Sequence, residues 1–220
     1  IYNERLISAM GIIALITVPI TFFSLAQGEA LIRLLFQSNR FNEDSVRLTL
    51  AAFTWHMPGL FFIALNRILA PAFYAQSDSA SPTLAGIISF GVNILLASLL
   101  AGPMKGAGIA LSLSLASAVN TALLLLFLRK NPHIAVGRAL GAALGYTAKL
   151  AVLSALALIP VLILGPRLSG AFAGRGRLIA QGAPLAVTAA VYGAAGILLL
   201  LITRDKHFRG ILRMFRRNRA

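Results

Sequence analysis

Long apolar runs joined by short polar links occupy nearly the whole chain. From turn to turn they cover Leu6–Ala26, Val46–Ala70, Pro82–Ala101, Gly106–Leu128, Ala139–Leu164 and Leu178–Ile202. Each reaches or passes the roughly 20 residues that an α-helix needs to cross a hydrocarbon layer about 30 Å thick. A helix satisfies its backbone hydrogen bonds internally, as lipid demands. Membrane-spanning strands would instead show runs of about ten residues with strict apolar–polar alternation, and none is visible. The pattern predicts an all-α, polytopic membrane protein with six transmembrane helices.

Small and polar residues within the runs fall on faces. Gly86, Ser89, Asn93 and Ala97 share one side of the third run, and Gly108, Ser112, Ala116 and Asn120 repeat every four residues in the fourth. The fifth opens with Gly137, Gly141 and Gly145. Small residues let helix backbones approach, and Asn or Ser can hydrogen-bond across the contact. These faces are therefore expected at helix–helix contacts or lining a cavity. Pro19 and Pro58 lie inside runs and should kink or break helices, while Pro71 and Pro82 bracket an expected link, Pro71–Ser81. Breaks at membrane depth are tolerated where they face protein or water, which suits a transporter better than an inert anchor.

Composition agrees. Hydrophobic residues make up 58% and charged residues 12% of the chain, with mean hydropathy +0.84. A soluble domain cannot hide so much apolar surface. The absence of cysteine excludes disulfides, thiolate catalysis and Cys-based metal sites. His56, His133 and His207 are too scattered for a metal-ligand motif. There is no phosphate-binding loop signature and no nucleophile–base pair, so ATP-driven transport by this chain alone is not expected. The chain begins at Ile1 without a signal sequence, as expected of a trimmed sequence or the back part of something longer.

The net charge of +14, from 20 Lys and Arg against 6 Asp and Glu, points to membrane topology and not to nucleic acid, because the cations lie in links and at the C-terminus. Numbering the links alternately assigns the larger share to one side: Arg5, Arg67, Arg129, Lys130, Arg138, Lys149 and the tail. Arg33, Arg40, Arg47, Lys105, Arg167, Arg175 and Arg177 fall on the other. The positive-inside rule then puts both termini in the cytoplasm and the first link, Gln27–Ser45, outside; the cluster Arg167, Arg175 and Arg177 opposes this. In the tail, Phe208, Ile211, Leu212 and Phe215 fall at helical spacing among Arg209, Arg213, Arg216 and Arg217. That suits a helix lying on an anionic leaflet, whether as an orientation anchor or for specific lipid or partner recognition.

Cations inside the apolar zone carry the candidate chemistry. Arg67 lies near the inner end of the second run, four residues before Pro71, and an Arg is a natural phosphate ligand. Lys149 lies about ten residues, or about 15 Å, into a fifth helix that starts near Ala139. A cation there costs about 2.5–3.5 kcal/mol unless it faces a polar cavity. With a span nearer Tyr146–Gly165, its stem would snorkel to the surface. His56, beside Trp55 and Pro58, reads more readily as a packed residue than as a proton carrier.

Three stretches resemble the lipid II flippase family MurJ, also called MviN, of the multidrug/oligosaccharidyl-lipid/polysaccharide exporter superfamily. They are the link Leu34-Leu35-Phe36-Gln37-Ser38-Asn39-Arg40-Phe41-Asn42-Glu43-Asp44, the segment Arg67-Ile68-Leu69-Ala70-Pro71-Ala72-Phe73-Tyr74-Ala75 with Asp78 and Pro82 after it, and Gly106-Ala107-Gly108-Ile109-Ala110-Leu111-Ser112 running to Asn120. The second is the most specific. The resemblance covers nearly the whole chain, matched to the last six of the family's fourteen helices.

It implies two lobes around a cationic cavity, with residues 1–130 in the C-terminal lobe. Residues 131–203 would form the two groove helices, and 204–220 a basic cytoplasmic amphipathic tail. The implied substrate is lipid II, an undecaprenyl-pyrophosphate-linked precursor of the cell wall, flipped across the bacterial cytoplasmic (inner) membrane by alternating access. Arg67 and Lys149 would meet its head group, and Asn93 would contribute to substrate or, weakly, to a coupling cation (Na+ or H+). Ala97 and Leu113 supply no oxygen ligand beside it, and Asn66 stands before Arg67 where an apolar residue is common. The implied partners are lipid II, anionic lipids at the tail and a missing N-terminal lobe. Related exporters of other lipid-linked oligosaccharides or drugs, and a scaffold module without transport, are the competing expectations.

Overall fold

The computed structural model describes residues 2–38, 41–130, 135–172 and 174–217. Asn39, Arg40, His133 and Arg219 lie outside the described residues, as do the side chains of Arg177, Leu212, Arg213, Phe215, Arg216 and Arg217. Among the described residues eight helices follow one another: α1 (Tyr2–Phe36), α2 (Glu43–His56), α3 (Gly59–Tyr74), α4 (Ala80–Met104), α5 (Gly106–Leu128), α6 (Val136–Ala171), α7 (Arg177–Ile202) and α8 (Lys206–Arg217). Five of these, among the described residues, are long and apolar enough to cross a membrane, and α2 with α3, bent by 42° at their break, bring the number to six if the pair is one broken span. The all-α, polytopic expectation is met.

The break falls at Met57–Pro58, as the proline predicts. It is held closed by α5, where the Ser114 hydroxyl donates to the freed carbonyl of Trp55 at 2.8 Å. Pro19 behaves otherwise, since α1 stays helical through it. The first link is also shorter than expected. At 1.5 Å per residue the 35 residues of α1 reach about 50 Å, well beyond the hydrocarbon. The extension is helical because Arg33 pairs with Glu29 one turn back, at 2.8 Å, and with Glu43 at the start of α2, at 2.6 Å. Asn42 then caps α2 by accepting from the Ser45 amide at 3.0 Å. The expected link Pro71–Ser81 is corrected as well: α3 runs through Pro71 to Tyr74, and Pro82 sits in the first turn of α4, where a missing N–H costs little.

Packing follows the small residues in α5, while in α4 Gly86 meets open space and Asn93 makes the contact. Ser112 and Ala116 are buried and Gly108 lies against α4, so that a Cβ at Gly108 would strike the Leu100 carbonyl. The Ser112 hydroxyl donates to Asn93 Oδ1 at 3.0 Å, joining the two polar faces. The Gly137, Gly141 and Gly145 stripe, expected at a helix contact or lining a cavity, has nothing within 4 Å of an added Cβ, and Gly137 lines a cavity. Instead α6 buries Val136, Ala139, Ala143, Leu150, Ala157 and Val161, an i, i+3, i+4 series turned toward α1. Leu6, Met10, Leu65, Leu69, Leu124 and Leu128 complete a core shared by α1, α3, α5 and α6.

The two ends of the chain lie at one end of the bundle. Asn3 Oδ1 accepts from the Ala135 amide at the start of α6, at 3.1 Å, and the His207 ring of α8 lies against Gly11.

Candidate functional site

The helices α1, α6 and α7 enclose a furrow with two chambers. The chamber nearer the chain termini holds about 300 Å³ and is lined almost wholly by hydrocarbon, including Leu15, Leu150, Ala157, Ile197 and Leu200. Gly193 and Gly196 of α7 open its wall, and Phe208 and Ile211 of α8 close its end. The far chamber holds about 520 Å³ and is more polar, with Gln27, Glu29, Arg33, Gln181 and Thr188 among its walls. Between them Ala157, Val161 and Tyr192 form a packed layer with Phe23. The Tyr192 hydroxyl donates to the Pro19 carbonyl at 2.9 Å, tying α7 to the proline-containing turn of α1. In the far chamber Gln181 donates to Gln37 Oε1 at 2.9 Å, while its own carbonyl oxygen is buried without a partner among the described residues.

Lys149 lines neither chamber; it precedes Leu150, which lines the terminus-side chamber, and it is paired. Its ammonium lies 2.7 Å from Asp205 Oδ2, with the Lys149 side chain 36% exposed and that of Asp205 1%. Tyr146 donates to Asp205 Oδ1 at 2.9 Å, and the His207 and Phe208 amides reach the same oxygen at 3.1 Å each. Asp205 is thus the N-cap of α8 and its tether to α6. Burial pushes the Asp205 carboxyl toward its protonated form, but hydrogen bonds from Lys149, the Phe208 amide and Tyr146 outweigh it and hold its pKa below the ordinary value. Phe208 and Ile211 pack on Leu15, Val18 and Leu150, so at least part of the tail's apolar stripe meets protein.

Arg67 is not brought to this end of the furrow. It is exposed on α3 and lines neither chamber. Its neighbour Asn66 serves packing, donating to the Ser117 carbonyl at 3.1 Å and accepting from Thr121 at 2.8 Å, so that it bridges α3 and α5. Asn93 lies in a separate pocket of about 190 Å³ with Asn66, Ser89, Ser117 and Asn120. The Asn120 carbonyl oxygen there is buried without a partner among the described residues. Every polar group in this pocket is neutral, and the Asn93 oxygen already accepts from Ser112.

Sequence reasoning missed Asp205 and Arg129. Asp205 carried a readable signal, an acidic residue directly before a helical amphipathic pattern. Arg129 had counted only toward topology, yet it lines a cavity between α1, α3, α5 and α6.

A family model described as lipid II flippase MurJ matches residues 1–173. The probable lipid II flippase MurJ of Treponema pallidum is 41% identical over 215 residues, covering 98% of this chain and 41% of that protein. The lipid II flippase MurJ of Burkholderia cenocepacia is 36% identical over 100 residues, 44% of this chain and 19% of that protein. A solved lipid II flippase MurJ in an inward closed conformation shares the fold with a TM-score of 0.72 at 16% identity, over 93% of this chain and 40% of the other. The chain therefore spans about two-fifths of the length of the Treponema relative and of the solved structure.

Proposed function

This chain belongs to the lipid II flippase MurJ family, and from that premise we propose that it is the C-terminal portion of a transporter that flips lipid II across the bacterial cytoplasmic membrane. The observation that carries the reading is the furrow of α1, α6 and α7, whose apolar chamber is lined by Leu150 and Phe208, with the Lys149–Asp205 ion pair next to Leu150 in sequence but outside that lining. A polyprenyl diphosphate needs those two surroundings: hydrocarbon for its tail, and cations for a head group that lipid cannot solvate. In this reading residues 1–130 contribute to the C-terminal lobe, 131–203 are the groove helices, and 204–220 lie on the anionic cytoplasmic leaflet with both termini on that side. The rest of the protein supplies the opposing lobe, and rocking of one lobe against the other alternates access.

The cations would act in sequence. Arg67, exposed on α3, offers a planar guanidinium to the diphosphate. Lys149 is held by Asp205 until a more highly charged diphosphate draws its ammonium away, so head-group arrival and α8 docking would be coupled. Asn93 would offer the sugar a neutral hydrogen-bonding partner; no transport step is routed through a cation at its pocket.

The test is rescue of cells depleted of their own lipid II flippase by the full-length protein that carries this segment. Rescue is expected from the parent and is lost in Arg67→Ala at equal membrane abundance. A well-expressed parent that fails to rescue would overturn the assignment.

A further inference from the structure

Nearer the start of α6, before its groove-lining residues, lies a second apolar space, the cavity of about 390 Å³ between α1, α3, α5 and α6. Small-molecule sites typically measure roughly 300–1,000 Å³. Phe61, Leu65, Ala122, Leu126, Leu140 and Leu144 are among its walls, and Arg129, just past the end of α5, is the single charged lining residue. Leu126 and Leu144 are 53% and 58% exposed, so the space is open at the side.

Its length is the informative quantity. Along α5 and its last turn the lining runs from Ala118 to Arg129 and along α6 from Val136 to Leu144, which at 1.5 Å per residue is about 16 Å and about 12 Å. Half of a hydrocarbon layer about 30 Å thick is about 15 Å. The cavity therefore descends from the helix ends to the depth of one leaflet, with a guanidinium at its wet end. Lys130 and Arg138 are exposed at that same end, and among the described residues no acidic one lines the space.

We propose that this cavity binds an anionic glycerophospholipid of the leaflet on the α8 side, one acyl chain lying between α5 and α6 and the phosphate on Arg129. A free phosphate would leave the hydrocarbon walls unfilled, and an uncharged apolar ligand would leave the guanidinium without an anion. The site shares no lining residue with the furrow, so it stands or falls apart from the transport reading.

The experiment uses the full-length protein in detergent and phosphatidylglycerol carrying a photoreactive group midway along one chain. Label is expected within residues 118–129 and 136–144, displaced by unlabelled phosphatidylglycerol but not by phosphatidylcholine. Arg129→Gln should weaken displacement about fivefold, the equivalent of about 1 kcal/mol per cation near a membrane surface, and Arg129→Lys should recover most of it. Ala122→Trp should abolish labelling with Arg129 intact, and thermal midpoints equal to the parent's show that these variants are folded. The proposal is overturned by label spread evenly over exposed helices such as α4, by equal competition from phosphatidylcholine, or by displacement with inorganic phosphate alone. Unlabelled α5 and α6 peptides in the parent, as when another part of the protein covers the cavity, would overturn it too.

Discussion

At residue 205 one carboxylate starts a helix, neutralises a lysine and accepts from a phenol, all while 2% exposed. Removing it leaves the Lys149 ammonium without its anion and the first turn of α8 without a cap. Asp205→Ala should therefore weaken α8 docking by about 1–3 kcal/mol. Amide exchange is the direct readout: protection at residues 206–211 should fall while the rest of the bundle stays protected. Lys149→Met alone should also loosen α8, and adding Asp205→Asn should recover part of that loss, because no buried charge is then left unpaired. The pH dependence follows from the lowered carboxyl pKa. A depressed folded-state value stabilises the docked form above the ordinary aspartate pKa of about 3.9, and that stabilisation is lost as pH falls through the folded value. Docking should thus be constant from about pH 7 to about pH 5 and weaken below about 4; exchange rates in α8 that rise already near pH 6 would contradict the assignment to Asp205.

At the scale of the helix, glycine means opposite things at different positions. Gly108 lies where α5 meets α4, and an added Cβ would collide with the Leu100 backbone, its carbonyl carbon 2.6 Å away. Backbone cannot step aside as a side-chain tip can, so Gly108→Ala should destabilise by about 1–3 kcal/mol. Gly141 faces open space, and Gly141→Ala should be neutral or stabilising by up to about 1 kcal/mol through helix propensity. Opposite shifts of the thermal midpoint in these two variants check the pair, and a destabilised Gly141→Ala would mean that its face is covered in the full-length protein. The contrast also marks how far the sequence could be read. The six spans were legible because lipid leaves helices no choice but long apolar runs, and the Pro58 break because a proline removes both a donor and room. The four-residue repeat in α5 pointed rightly to packing. The identical spacing in α6 meets no helix among the described residues and borders a cavity at Gly137, since periodicity fixes which residues share a face but not what that face meets. The helical extension to Phe36 was hidden because it rests on Arg33 bridging to Glu43 across a turn, a contact between residues ten apart.

For the molecule as a whole, the candidate site was legible in part. Lys149 stands out in the sequence as a cation at membrane depth, but its partner lies 56 residues away and only the return of α7 to the same end brings the two together. Arg67 stands out on the same grounds and lies on a different surface. What no single run discloses is the furrow itself, which exists because α6 and α7 pack on α1 with small residues left on the inner wall. That arrangement makes a prediction independent of either cation. Gly196 lines the apolar chamber, and a Cβ there meets nothing within 4 Å. Gly196→Leu should therefore fold while its side chain takes up space that a polyprenyl tail would occupy. Gly170, also with open space around it, lies on α6 outside the chamber lining, and Gly170→Leu is the matched control for added bulk. In cells depleted of their own flippase, the full-length protein with Gly196→Leu should fail to support growth and the one with Gly170→Leu should succeed, both at parental abundance. Growth with both would separate the chamber from transport while leaving the family and fold untouched. Loss with both would point to a general intolerance of bulk on the groove helices. Only the split outcome ties the empty apolar volume to the passage of a lipid.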